Sequence, residues 1–252
     1  AMIKNNRSIP KVCEEPFKNK LVVISGATSG IGYVSAKKYA SQGANLLCIN
    51  RNQGKSEVLK QDIERAYGVE CNYKIADLSN LEDIHRIARE LSMLDTSIDV
   101  LIHNAGVYLT KQALTSDGLD KVFVVQYLAS FIINYVLMDK LKAQERARII
   151  MVNSEGHRFA VWGVRLDDLN WEKRRYSGLS MIVFNNHFEG SGVSINAMHP
   201  GAVKTETGQE NGPLYQWFKR NFLDKTLKPA EISADALYYL GVSKEIESVS
   251  GK

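Results

Sequence analysis

Short apolar runs alternate along the chain with stretches in which apolar residues recur every three or four positions. Leu21 to Ile24, Leu46 to Ile49, Val100 to Ile102 and Ile149 to Val152 are unbroken apolar runs, as expected of strands covered on both faces. Cys71, Tyr73 and Ile75 alternate with polar residues, and so do Val193, Ile195 and Ala197, which marks two more strands. Between them, helical periods cover Ile31 to Gln42, Ser56 to Tyr67, Leu81 to Leu91, Val122 to Met138, Leu179 to Glu189 and Pro229 to Leu240. Gly43 and Gly68 stand where the first two helices should end, and Ser79 with Glu82 has the spacing of a capping box before the third. Strand and helix in alternation predict an α/β fold: a doubly wound parallel sheet in a three-layer α/β/α sandwich. No linker, repeat or low-complexity segment interrupts residues 1–252, so a single domain is expected. Two stretches without clear period, about 155–178 and 204–228, follow the carboxyl ends of strands, the edge at which open α/β sheets bind ligands.

Composition narrows the classes of function. Apolar residues make up 44% and charged residues 24%, which excludes disorder and fibrous repeats. The net charge of +4 is small and its densest cluster is only Lys173 to Arg175, so nucleic acid is not an expected partner. Cys13, Cys48 and Cys71 cannot all pair and form no metal-like spacing; they read as free thiols of a reducing compartment. The five histidines do not cluster either, and no metal is expected. Residues up to Lys20 are polar and charged, unlike a secretory leader, and a cytoplasmic location is expected. The uncharged run from Val122 to Met138 is shorter than the ~20 residues of a membrane span. Its polar members Gln126, Ser130 and Asn134 share one helix face, so a buried helix with one functional or interfacial face is expected, not a transmembrane segment.

The first strand runs directly into Ser25-Gly26-Ala27-Thr28-Ser29-Gly30-Ile31-Gly32, where a helix starts. Unpaired N–H groups and a partial positive charge at a helix start suit a pyrophosphate, and glycines let the backbone approach it. The GxxxGxG spacing resembles that of the short-chain dehydrogenase/reductase family. The likeness continues in the family's order with Asp77-Leu78 after the third strand, His103-Asn104-Ala105-Gly106 after the fourth, Asn153-Ser154 after the fifth, and Pro200-Gly201-Ala202-Val203-Lys204-Thr205 after the sixth. The stretch Asp167-Asp168-Leu169-Asn170-Trp171 to Tyr176-Ser177-Gly178 is similar to the retinol-dehydrogenase-like branch.

The resemblance implies that Gly26, Thr28, Ser29, Gly30, Ile31 and Gly32 receive a dinucleotide. It places Asp77 and Leu78 at the adenine, Asn104, Ala105 and Gly106 along the cofactor, and Pro200, Gly201, Val203 and Thr205 at the nicotinamide. Asn50 stands where NAD-binding members carry an acid, and Arg51 follows with a guanidinium able to grip a 2′-phosphate. NADP(H) is therefore expected as the preferred cofactor, with NAD(H) possible; otherwise Arg51 is a solvated surface charge. The branch interconverts small apolar alcohols and their ketones or aldehydes by hydride transfer. Members often pair through the helices at Val122 to Met138 and from Leu179, which implies a homodimer or homotetramer.

The likeness breaks at the catalytic pair. Ser154 matches the family serine that orients the substrate oxygen, but the following YxxxK is missing: Tyr176 has Ser180 in the lysine place. Three readings stay open. Tyr176 acts without its lysine; the protein is a non-catalytic, dinucleotide-binding pseudoenzyme; or a short segment carrying both groups is missing from the sequence between Gly178 and Ser180. Gln126 replaces a helix-kinking Asn that helps connect the family's lysine to solvent. It is either a relay group or a tolerated buried amide. His157 is a minor candidate for reaching the substrate. Tyr215, Trp217, Phe218 and Phe222, with Trp162 and Trp171, form either the wall of an apolar substrate pocket or a surface patch.

Overall fold

The structure, a computed structural model, describes residues 11–153, 168, 170–173, 193–200, 203–205, 208, 210–224 and 227–251. Among the described residues there are six parallel strands: β1 Leu21–Ser25, β2 Asn45–Asn50, β3 Cys71–Ile75, β4 Val100–His103, β5 Ala147–Val152 and β6 Val193–Met198. Their order is β3-β2-β1-β4-β5-β6. The chain starts in the middle of the sheet, winds to one edge, returns to lay β4 beside β1, and winds to the other edge. The crevice above the β1/β4 boundary is the switch point where such sheets bind ligands.

Helices α1 Gly30–Ser41, α2 Gln53–Tyr67 and α3 Leu81–Ser92 follow the first three strands. A long helix α4, Lys121–Lys142, follows β4, and α5 Pro213–Phe218 and α6 Glu231–Val242 follow β6. The expected helix from Leu179 lies outside the described residues. In β1, Val22 and Ile24 enter the core under α1, α2 and α6, while Val23 enters the core under α3 and α4. Successive side chains point to opposite faces and both faces are covered, which is why the run is apolar throughout.

Two details differ from expectation. The cap of α3 is Asn80, whose side chain accepts the Asp83 N–H at 3.0 Å, while Ser79 is bound to Asp77. The pairing is thus shifted one residue from Ser79 and Glu82, because Ser79 is committed to the turn before the helix. Part of the stretch about 204–228 is regular: α5 continues as a π-helical turn over Lys219–Leu223. Leu214, Trp217, Phe218 and Phe222 do have helical spacing, but they are exposed, so their period does not mark a core-facing stripe.

In α4, Ser130 and Asn134 are buried against the sheet and Gln126 is half-buried, as their shared face predicted. Helix α4 is π-helical over Val124–Leu128, with Gln126 at its centre. By length and composition it could cross a membrane, yet 44% of its most apolar window is buried inside this fold. A ladder of rings, Phe123, Tyr127, Phe131 and Tyr135, runs along another face at centroid spacings of 5.4, 6.1 and 6.3 Å. All three cysteines are buried and free.

Arg148 of β5 is an unforeseen buried cation, 4% exposed. Its guanidinium donates to the carbonyls of Leu240 at 3.0 Å and Ser243 at 2.9 Å. Those carbonyls end α6, where the helix dipole is negative, so the charge is matched by oriented C=O groups instead of a carboxylate. Removal of the guanidinium leaves two inward carbonyls without a donor. Arg148→Met is expected to lower the unfolding free energy by about 2 kcal/mol in urea titrations. A change below about 0.5 kcal/mol would show that the cap is dispensable.

Candidate active site

The centre of the site is a clasp between the ends of β1 and β4. Ser25 Oγ accepts the N–H groups of Asn104 and Ala105, each at 3.0 Å. Asn104 Nδ2 donates to the carbonyls of Ser25 at 3.1 Å and Gly26 at 3.0 Å. The glycine-rich turn is thereby tied to the neighbouring strand end. Gly26 has φ +70, and a Cβ there would lie 3.0 Å from the Ala105 backbone. At Gly32 an added Cβ would meet Gly26 O at 2.1 Å and Asn104 Nδ2 at 2.5 Å. The turn therefore closes only with a bare backbone at both places. Thr28 and Ser29 are half-buried at its crest, and Ile31 is packed in the core. Ser29 caps α1 by position, but its side chain makes no capping bond, leaving the first N–H groups of this 12-residue helix to another acceptor.

Asn50, at the end of β2, is buried, and its Oδ1 accepts the Ala27 N–H at 2.8 Å. It supports the glycine-rich turn from below; its Nδ2 is buried without a hydrogen-bond partner among the described residues. Arg51 turns outward, with 58% of its side chain exposed, and pairs with Glu210 at 3.0 Å. After β3, Asp77 Oδ1 accepts the Ser79 N–H and hydroxyl, shaping the turn, and Leu78 packs into the core beneath α3.

After β4, Gly106 is exposed and Gln126 Nε2 donates to Val107 O at 2.6 Å. Gln126 therefore pins the loop that carries Gly106. His103 is buried, with Nε2 2.8 Å from Asn134 Oδ1, and desolvation pushes its pKa down to about 4. It is a neutral bridge between β4 and α4, a packing role and not a catalytic one.

Described residues after β6 lie back over this crevice. Pro200 O accepts the Ser233 hydroxyl, and Val203 pairs with Lys228 in a parallel bridge. Thr205 lies beside Gly30, where an added Cβ would come within 3.3 Å of it. Asn211 Oδ1 accepts the Thr110 N–H at 2.7 Å, and the rings of Tyr108 and Tyr215 lie 5.9 Å apart. A cavity of about 300 Å³ remains between Gly30, Thr205, Gln216, Lys219 and Arg220. Of the two readings of the aromatic residues, Trp217, Phe218 and Phe222 fit the surface patch and not the pocket wall: they face outward and pack on one another. The DLN element is held to the body: Asn170 Oδ1 accepts the Asp120 N–H and its Nδ2 donates to Gly118 O.

Ser154, Tyr176, His157, Trp162 and Gly201 lie outside the described residues. A tyrosine with lysine four residues on does occur as Tyr215 and Lys219 in α5 and its π-helical extension. This pair lacks the chemistry of an acid/base couple. Burial and then Tyr108 push the Tyr215 pKa up, and Lys219 is committed to Thr205 O and Asp224. Among the described residues no group of His, Cys, Asp and Glu could hold a metal.

The family model for short chain dehydrogenases matches residues 20–164. Retinol dehydrogenase 13 of Mus musculus is 33% identical over 253 residues, covering 92% of this chain and 74% of the relative. Since 92% of 252 residues is about 232, the relative carries residues inside the match that this chain lacks. Among solved structures, levodione reductase has a TM-score of 0.71 at 19% identity, covering 93% of this chain and 94% of that one. A short-chain dehydrogenase from Sphingobium yanoikuyae, solved in complex with NADPH, has a TM-score of 0.65 at 20% identity, covering 86% and 82%.

The His103 environment carries a pH signature. The unfolded chain takes up a proton near the ordinary value of 6.5, whereas the folded chain does so only near 4. Its contribution is complete above 6.5 and is lost as pH falls toward 4. Between about pH 7 and pH 5 the loss is on the order of 2 kcal/mol, one pKa unit being about 1.4 kcal/mol. His103→Asn, which keeps a donor, is expected to flatten this part of the stability profile in denaturant titrations. An unchanged slope would assign the acid sensitivity to other groups.

Proposed function

This chain belongs to the short-chain dehydrogenase family, in its retinol-dehydrogenase-like branch, and we propose that it interconverts an apolar alcohol and its aldehyde or ketone, preferring NADP(H) to NAD(H). It is an NAD(P)-dependent oxidoreductase by that membership.

The residues present fit a dinucleotide. The start of α1 offers N–H groups that no side chain of its own N-cap satisfies, at the switch point of the sheet. Gly26, Thr28, Ser29, Gly30, Ile31 and Gly32 would hold the pyrophosphate, and Asp77 with Leu78 would border the adenine. Asn104, Ala105 and Gly106 would line the middle, and Pro200, Gly201, Val203 and Thr205 the nicotinamide end. When bound, the cofactor supplies or accepts a hydride. Gln126 keeps the Gly106 loop in register for it by holding Val107 O.

The preference for NADP(H) is supported by one observation: β2 ends in a buried amide followed by an exposed guanidinium, where the strand end itself carries no acid. The apolar substrate is supported by the retinol dehydrogenases among the relatives. On the substrate side, Ser154 holds the reacting oxygen. The resemblance to the family gives the proton to a tyrosine that follows this serine, and Tyr176 is the one tyrosine between residues 153 and 193. No lysine stands between residues 177 and 192 to acidify it, so turnover is slow.

Calorimetry with NADPH and NADH tests the cofactor assignment. Arg51→Gln should weaken NADPH by about tenfold or more and leave NADH within about twofold. An Arg51→Gln variant that loses nothing, or loses equally for both cofactors, would remove Arg51 from this role. Tyr176→Phe should lower kcat on apolar alcohols by about a hundredfold or more with NADPH affinity unchanged. Full turnover by that variant would place the proton-transfer group elsewhere.

A further inference from the structure

We propose that Glu210 is a specificity-determining residue of the cofactor site, an internal carboxylate that occupies the place of the 2′-phosphate and must be displaced by it. This rests on the assignment of Arg51 to that phosphate.

Three segments meet at Glu210. Its Oε1 lies 3.0 Å from Arg51 Nη1, just after β2, and its Oε2 lies 2.9 Å from Lys121 Nζ, at the start of α4. The two oxygens are thus divided between two cations drawn from opposite sides of the crevice. Lys121, then Arg51, holds the carboxyl below the usual carboxylate range, so it is charged at neutral pH. One anion between a guanidinium and an ammonium is the arrangement that a ribose phosphate monoester would also seek.

The position of the segment adds to this. Glu210 lies on the segment that leaves β6, yet it reaches Arg51 beside β2, with β1, β4 and β5 standing between those two strands in the sheet. On the way, Thr205 stands against Gly30 and Asn211 is bonded to Thr110 and to Tyr108 O, at 2.7 Å and 2.8 Å. Thr205, Glu210 and Asn211 therefore all lie over the carboxyl edge of the sheet, and the Glu210 pairs hold the end nearest β2. A ligand that reaches Arg51 must exchange with Glu210. NADP(H) brings the anion that can do so. NAD(H) brings only ribose hydroxyls at that point and leaves the pairs in place.

The consequence is a penalty on NADP(H) binding equal to the reciprocal of the fraction of molecules in which Arg51 is free. Two partly exposed ion pairs make that factor about five- to tenfold. Glu210→Gln removes the charge and keeps the shape, and the residue is exposed enough for the fold to tolerate it. Calorimetric titration of NADPH and NADH into the unaltered protein, Glu210→Gln, Arg51→Gln and the double variant reads the result without turnover. The expected outcome is NADPH binding about five- to tenfold tighter in Glu210→Gln, NADH within about twofold, and no effect of Glu210→Gln once Arg51 is Gln. Unchanged or weaker NADPH binding in Glu210→Gln, with Arg51→Gln still costly, overturns the role of Glu210 alone. Equal tightening for both cofactors overturns it too, since the carboxylate would then gate the whole crevice. If Arg51→Gln is silent and the two cofactors bind equally, the phosphate assignment fails and the role of Glu210 falls with it.

Discussion

The candidate site is built around a reciprocal clasp between Ser25 and Asn104. Ser25 Oγ takes two backbone N–H groups from the end of β4, and Asn104 returns two bonds to the backbone of the turn after β1. Four bonds across one strand boundary fix the glycine-rich turn relative to the Asn104–Gly106 loop. With Gly32 pressed to within van der Waals limits of Gly26 O, the start of α1 has one place to stand. Asn50 supports the same turn from the β2 side through Ala27. The crevice is thus pre-shaped by the protein's own hydrogen bonds, and a ligand need not organise it.

The sheet was legible in the sequence because its strands are covered on both faces. Such strands must be apolar throughout, and Leu21 to Ile24 is unbroken for that reason. The glycine-rich turn was equally legible, since closure at Gly26 and Gly32 leaves no room for a side chain. Arg148 was not, because its partners are backbone carbonyls 92 and 95 residues away and no residue type announces them. Glu210 was missed for a related reason: its charge means nothing until folding brings Arg51 and Lys121 to it. The inward turn of Asn50 is also a fact of geometry. Its identity signals a missing acid, but only the structure shows that its carbonyl is committed to Ala27.

The aromatic cluster after β6 illustrates a different limit. Spacing shows that Leu214, Trp217, Phe218 and Phe222 share part of a helix, but it does not show which way that helix faces. They face outward, with Phe218 and Phe222 stacked at 5.5 Å. The inner side of the same helix instead offers Gln216 and Lys219 to the cavity over Gly30. What covers the crevice is therefore polar below and apolar above.

The capping of α6 by Arg148 also sets an order of events during synthesis. Strand β5 leaves the ribosome carrying a cation that its mature surroundings bury, and the carbonyls that receive it belong to residues 240 and 243. Until those residues emerge, drawing Arg148 into the sheet would strand a charge at a cost of several kcal/mol. Tyr39 waits for the same helix, since its hydroxyl donates to Leu237 O across 198 residues. Docking of α6 therefore completes the hydrogen bonding of both the first helix and the fifth strand, and a chain that ends before residue 237 lacks the partners of both Tyr39 and Arg148.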